Sequence, residues 1–235
     1  MNMYSYVSCN ILLNRIFVKR VFTGIAFFSD PCYNRARTLT QYPKIDSSEW
    51  EMTVMEHTKD FLNLLLDRRS CRAFRPDALD RPTLAAIVET GRYAPSAMDT
   101  QQNHFYIITD QKLLKQLSEL VSRKLEHLAD RDFRYGAPAL VLVTNRKDHA
   151  MAPQDAACAM ENMMLAAYSM GVGSCWLNQP FHLQDDPDLR ALLAPLGVTE
   201  KDLLCCALAL GLPQGELPRS RPERTGNLVT WVDGV

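Results

Sequence analysis

Two stretches of this chain, Ala139 to Thr144 and Leu203 to Leu210, run almost without a polar break. A strand with one face in water alternates apolar and polar residues, because successive side chains point to opposite faces. A continuous apolar run predicts instead a strand buried on both faces. Such a sheet has to be covered above and below, and the segments around these runs supply the cover.

Phe61, Leu62, Leu65 and Leu66 lie at helical spacing. Asp80 and Pro82 precede Leu84, Ile87 and Val88, an N-cap and early proline that signal a helix start, with the end expected near Gly91 to Pro95. Gln111 to Leu128 is amphipathic, with Leu113, Leu114, Leu117, Leu120, Val121, Leu125 and Leu128 on or near one face. A long helix is expected over Gln154 to Met170, burying Ala157, Met160, Met164 and Ala167, and a short one over Asp186 to Leu193. His104 to Thr109 reads as a strand, and the proline- and arginine-rich tail closes on a strand-like Leu228 to Val232. Helices alternate with strands without an internal repeat, so the fold class is α/β or α+β, a sheet covered by helices.

At 235 residues the chain can bury one substantial core. A net charge of −1, with no basic stripe interleaved with aromatics, argues against a nucleic-acid partner. Seven cysteines at irregular spacing, with no C-x-x-C, give neither a disulfide framework nor a zinc site; a reducing cytoplasm fits best. Residues 1–54 are read apart from 55–235. They hold six basic against four acidic residues, and Arg15, Lys19 and Arg20 interrupt the apolar stretch Ile11 to Phe28. The longest uncharged run there, Val21 to Ser29, falls well short of the roughly 20 residues a bilayer helix requires. The preferred reading is a poorly ordered extension upstream of a true start at Met52 or Met55, with a genuine extension or weak membrane association as the alternative.

Chemistry gathers at three places. Arg68-Arg69-Ser70-Cys71-Arg72 packs three guanidiniums and a hydroxyl into five residues, where a helical pattern stops. Rigid forks of N–H donors suit phosphate oxygens, so the cluster is either an anion site or a solvated helix end. The polar loop Ala94 to Asn103 leaves backbone groups free for a ligand, or is an ordinary turn. Arg219, Arg221 and Arg224 form a late basic group, and Gly171-Val172-Gly173-Ser174 allows close backbone approach to a planar ring. There is no G-x-G-x-x-G, no G-x-x-x-x-G-K and no G-x-S-x-G. Cys175 reads as core rather than nucleophile, and the five histidines show no ligand spacing, so neither a catalytic side chain nor a metal is expected.

Taken in order and spacing, these pieces resemble the FMN-dependent nitroreductase family. The carrying residues are Arg68-Arg69-Ser70-x-Arg72-x-Phe74, Ala94-Pro95-Ser96-x-x-Asp99-x-Gln101 and Gly136-Ala137-Pro138-Ala139. They continue through the Asp155 to Ala167 helix, Gly171-x-Gly173-Ser174-Cys175-Trp176, Ala209-Leu210-Gly211-x-Pro213 and the arginine tail, so the resemblance covers roughly residues 56 to 233. It implies an α+β three-layer sandwich, a mainly antiparallel central sheet flanked by helices, in a homodimer.

The resemblance also implies a site. Arg68, Arg69, Ser70 and Arg72 would hold the FMN phosphate and ribityl chain, with Arg221 and Arg224 favoured over Arg219 as the late basic contribution. Gly173, Ser174 and Cys175 would lie against the isoalloxazine, and Pro95, Ser96, Ala97, Asp99 and Gln101 would reach it from the second subunit. Asp99 stands where relatives often have asparagine, which would lower the flavin potential, and Gln102-Asn103 replaces a common Pro-Trp pair. The implied activity is ping-pong hydride transfer from NADH or NADPH through flavin N5 to a nitroaromatic, quinone or enone. An FMN store or sensor with little turnover is the alternative.

Overall fold

The computed structural model describes residues 47–129 and 131–232, with side chains from His57 onward. Contacts divide the chain into Met1–Val54 and Met55–Val235, and the second unit holds the sheet. The extension expected upstream lies, as far as residue 46, outside the described residues.

In chain order the elements are α1 (Ser47–Asp67), α2 (Arg81–Arg92), β1 (His104–Ile108), α3 (Gln111–Lys124) and β2 (Ala139–Arg146). They continue with α4 (Ala152–Ser169), β3 (Gly173–Leu177), α5 (Gln179–His182), α6 (Pro187–Leu193) and β4 (Asp202–Gly211). The four strands form one sheet in the order β1-β2-β4-β3, and every pairing is antiparallel. The two apolar runs of the sequence are its central strands. One face, with Leu140, Leu142, Ala207 and Ala209, packs on Leu114, Leu117 and Val121 of α3 and on Leu189 and Leu193 of α6. The other, with Val141, Val143, Leu208 and Leu210, packs on Leu84 and Ile87 of α2 and on Met160, Met163 and Ala167 of α4. The result is the expected three-layer α+β arrangement.

Local signals set the helix starts. Asp80 Oδ1 accepts from the Thr83 N–H at 2.7 Å, with Pro82 in the first turn of α2. Asp110 and Asp186 cap α3 and α6 in the same way, taking up N–H groups that a helix start leaves without partners.

Three expectations need correction. The amphipathic stretch to Leu128 is not one helix: α3 stops at Lys124, Leu125 is extended, and a 3-10 turn follows over Glu126–Leu128. Lys124 is drawn to Asp186 and Asp188, while the Ser122 hydroxyl donates to the Leu128 carbonyl of the returning chain. Ala157 is only half-buried, because α4 turns Ala156 and Ala159 inward instead. Leu228 to Val232 is not a strand; its apolar side chains are exposed, and a strand needs a neighbouring ladder for its backbone groups.

Candidate functional site

Leaving α1, the arginine segment runs between two parts of the sheet. The Cys71 N–H donates to the Ser174 carbonyl at 2.8 Å, fastening it to β3. The Arg75 N–H donates to Leu212 O and the Gln214 N–H to Ala73 O, each at 2.9 Å, and Phe74 bridges Pro213. Glycine at 173 is dictated by this closeness: a Cβ there would lie 2.8 Å from Cys71 Sγ and 2.9 Å from its Cβ. The space at Gly173 is thus taken up by Cys71. The Cys71–Ser174 bond brings Ser70 and Arg72 to the Cys175 thiol, with Arg68 and Arg69 just before them at the end of α1.

The electrostatics of this corner are unusual. Arg68 Nε lies 3.3 Å from Glu161 Oε1 on α4, within ion-pair distance but out of line for a hydrogen bond. Arg68 Nε and Nη1 and Arg69 Nε are buried with no hydrogen-bond partner. A desolvated cationic donor without an acceptor is costly, and native proteins keep few of them. Such a set suits a multivalent anion such as a phosphate monoester. Arg72 is exposed, its guanidinium carbon 6.0 Å from the centre of the Tyr135 ring. Burial pushes the Cys175 thiol up, against a smaller opposing effect of Arg72, so it is no nucleophile.

The tail comes to the same corner by a route the sequence did not reveal. Arg221 donates to the Asp67 carboxylate and, at 2.9 Å, to Asn63 Oδ1, both on α1. The hydrogen bond from Arg221 holds the Asp67 carboxyl below its ordinary value, and the charges of Arg69 and Arg219 act in the same direction. Arg221 is therefore already engaged, Arg219 stands within electrostatic reach, and Arg224 is exposed farther along.

The Pro95–Gln101 loop is built differently. Ala97–Asp99 makes one 3-10 turn, and Met98, Asp99 and Gln101 have φ of 54°, 54° and 51°, the left-handed region that side chains disfavour. Ser96 Oγ accepts from the Gln101 N–H at 3.0 Å, and Gln101 Nε2 donates to Asp99 Oδ1 at 2.8 Å. Ser96 and Gln101 line a cavity of about 340 Å³ with Gly91, Asn103 and Phe105. The loop is moored to α4, the Ala97 N–H donating to Asp155 Oδ1 at 2.8 Å.

Asp155 and Glu161, the α4 residues that meet the loop and Arg68, are six positions apart. On a regular helix they leave in directions about 120° apart. The loop and the arginine corner thus meet different sides of α4. Asp155, His149 and Asn145, which surround the loop's mooring with Asn103, were not singled out in the sequence. A lone aspartate in a first helical turn ordinarily answers the helix dipole, and nothing in the spacing distinguishes this one. Among the described residues, no group of three or more His, Cys, Asp or Glu side chains is placed to hold a metal, and no helix is long and apolar enough to cross a membrane.

Comparison with known proteins bears on the family and the fold. The sequence profile of the Nitroreductase family matches residues 65–212. A protein of Archaeoglobus fulgidus provisionally named NADH dehydrogenase/NAD(P)H nitroreductase is 27% identical over 168 residues, covering 67% of this chain and 88% of its own. The crystal structure of an FMN-bound nitroreductase from Bacteroides fragilis superposes with a TM-score of 0.68 at 35% identity, covering 74% of this chain and 99% of that one. An iodotyrosine deiodinase bound to FMN and 3-iodo-L-tyrosine shares the fold, with a TM-score of 0.59 at 22% identity over 74% of this chain and all of its own.

Proposed function

This chain belongs to the nitroreductase family, and on that premise we propose that it is an FMN-dependent NAD(P)H oxidoreductase that reduces a small electron acceptor. The observation that carries the reading is the set of buried guanidinium N–H groups of Arg68 and Arg69 that have no hydrogen-bond acceptor, on the segment that the Cys71–Ser174 bond fastens to β3. Their charge and their N–H donors support assigning them to the terminal phosphate of FMN. When bound, FMN supplies the hydride chemistry, accepting from NADH or NADPH and passing two electrons on.

The protein's residues bind and orient. Arg68, Arg69, Ser70 and Arg72 hold the phosphate end, Asp67 and Asn63 fix the tail through Arg221, and Arg219 and Arg224 add positive charge. The Gly173, Ser174 and Cys175 backbone flanks the ring, and Pro95, Ser96, Ala97, Asp99 and Gln101 reach it from a second subunit. No nucleophilic side chain is required, in keeping with the buried Cys175. The acceptor class is a nitroaromatic, quinone or enone.

The test begins at purification. The reductase should be yellow and should bleach anaerobically when NADH or NADPH is added, then regain colour with an acceptor. Yellow protein that does not bleach would make this an FMN store, and protein that refuses FMN would overturn both readings.

A further inference from the structure

We propose that Asp155 is a positioning residue that fastens both ends of the strained Ala97–Asn103 segment, and so sets how Met98, Asp99 and Gln101 are presented. For its functional consequence the proposal rests on reading this loop as a flavin contact. At the near end, Asp155 Oδ1 accepts from the Ala97 N–H at 2.8 Å. At the far end, the Asp155 backbone carbonyl accepts from Asn103 Nδ2 at 3.0 Å. Asp155 Oδ2 lies 2.8 Å from His149 Nε2, and Asn145 Nδ2 donates to Asn103 Oδ1 at 2.8 Å. Each group that touches the loop is thus held by another behind it. Asp155 and Asn145 are 4% and 1% exposed, so water does not compete for these bonds.

Between the two fastenings lie three non-glycine residues in left-handed backbone. Such backbone persists only where the surroundings over-determine it. The loop's internal bonds, Ser96 to Gln101 and Gln101 to Asp99, brace the turn without attaching it to the fold. At the near end attachment falls to Asp155 and at the far end to Asp155 together with Asn145, and Met98, 97% exposed at the turn, adds no packing of its own.

Asp155→Leu keeps the shape and removes the acceptor; Asp155→Asn keeps an oxygen for the Ala97 N–H. In the full chain, Asp155→Leu should speed amide exchange across 94–103 by about tenfold or more, the loss of a charge-assisted bond, with β2 and β4 unchanged. FMN affinity should fall by a similar factor, about tenfold, with a shifted flavin absorbance band. Asp155→Asn should restore both. Asn103→Ala, which releases only the far end, should speed exchange at 101–103 and leaves a test if the leucine variant does not fold.

Unchanged exchange in 94–103, an asparagine variant as impaired as the leucine variant, or loosening spread through the sheet would each overturn the proposal. If the loop loosens but wild-type protein takes up no FMN, the fastening stands and the flavin reading falls. If wild type binds FMN and the loosened loop leaves affinity and spectrum untouched, the proposal falls and the flavin reading stands.

Discussion

Arg69 separates the two readings that its motif permits. A solvated helix end would leave its nitrogens in water, whereas Arg69 Nε is buried without an acceptor and Arg69 Nη1 reaches only the neighbouring Arg68 carbonyl, at 2.6 Å. Hydrogen bonds to charged groups contribute about 1.5–3 kcal/mol when made, so Arg69→Ala should weaken FMN binding by roughly 10- to 100-fold in a fluorescence titration. The flavin-free protein should unfold at an unchanged or higher urea concentration, since a frustrated charge has been removed. Intact FMN affinity in this variant would return the cluster to a helix end. Asp67 makes the second residue-scale prediction. Its carboxyl is depressed in the folded chain, so its bond to Arg221 contributes above the ordinary carboxylate value of 3.8 and is lost as pH falls through the lower folded value. Intrinsic-rate-corrected amide exchange in the tail should rise as pH falls below 3.8, and Asp67→Asn should show that faster exchange already at pH 7. A tail equally protected in Asp67→Asn would show that the pair does not hold it.

The elements were legible wherever one physical signal dominated. Asp80 with Pro82 marked the start of α2, and two unbroken apolar runs marked β2 and β4, because capping and double burial act locally. What stayed hidden depended on distant partners: the end of α3 is set by Lys124 reaching Asp186 and Asp188. The Cys205-Cys206 pair is another such case. The register steps from Val143 opposite Cys206 to Thr144 opposite Leu204, leaving Cys205 as the extra residue of a bulge, and both cysteines face α4. Burial pushes the Cys205 thiol up to about 12 and that of Cys206 higher still. Iodoacetamide at pH 8 should therefore label exposed Cys158 and spare Cys205 and Cys206 until the chain unfolds, as read by mass spectrometry. Early labelling of either would mean that β4 opens locally. At the edge of β3, Gly173→Ala forces a Cβ against Cys71 and Phe74, and should cost about 1–3 kcal/mol in urea unfolding while weakening FMN binding.

At the scale of the whole molecule, the periodicity of α1 and its surroundings disagree. Phe61, Leu62, Leu65 and Leu66 read as a buried face, yet they are 58%, 51%, 40% and 55% exposed in the single chain. Leu228, Val229 and Trp231 of the tail are exposed as well. Apolar surface gathered on one helix is stabilised by burial, and contiguous exposed patches commonly mark interfaces. On the proposed function, the loop and the arginine corner, which meet different sides of α4, come to one flavin from two subunits. A second copy that covers α1 would bury the patch and complete the site together. The protein should therefore run in light scattering at twice the 26.6 kDa of one chain. Leu62→Asp paired with Leu66→Asp places two carboxylates in that patch, with Leu62→Gln paired with Leu66→Gln as the uncharged control for the nearby arginine corner. The aspartate pair should yield monomers whose FMN affinity drops by at least about tenfold, since the contacts proposed from the second subunit would be missing. Monomers that bind FMN as tightly as wild type would show that one chain builds the whole site, and the outward-facing loop would then need another explanation.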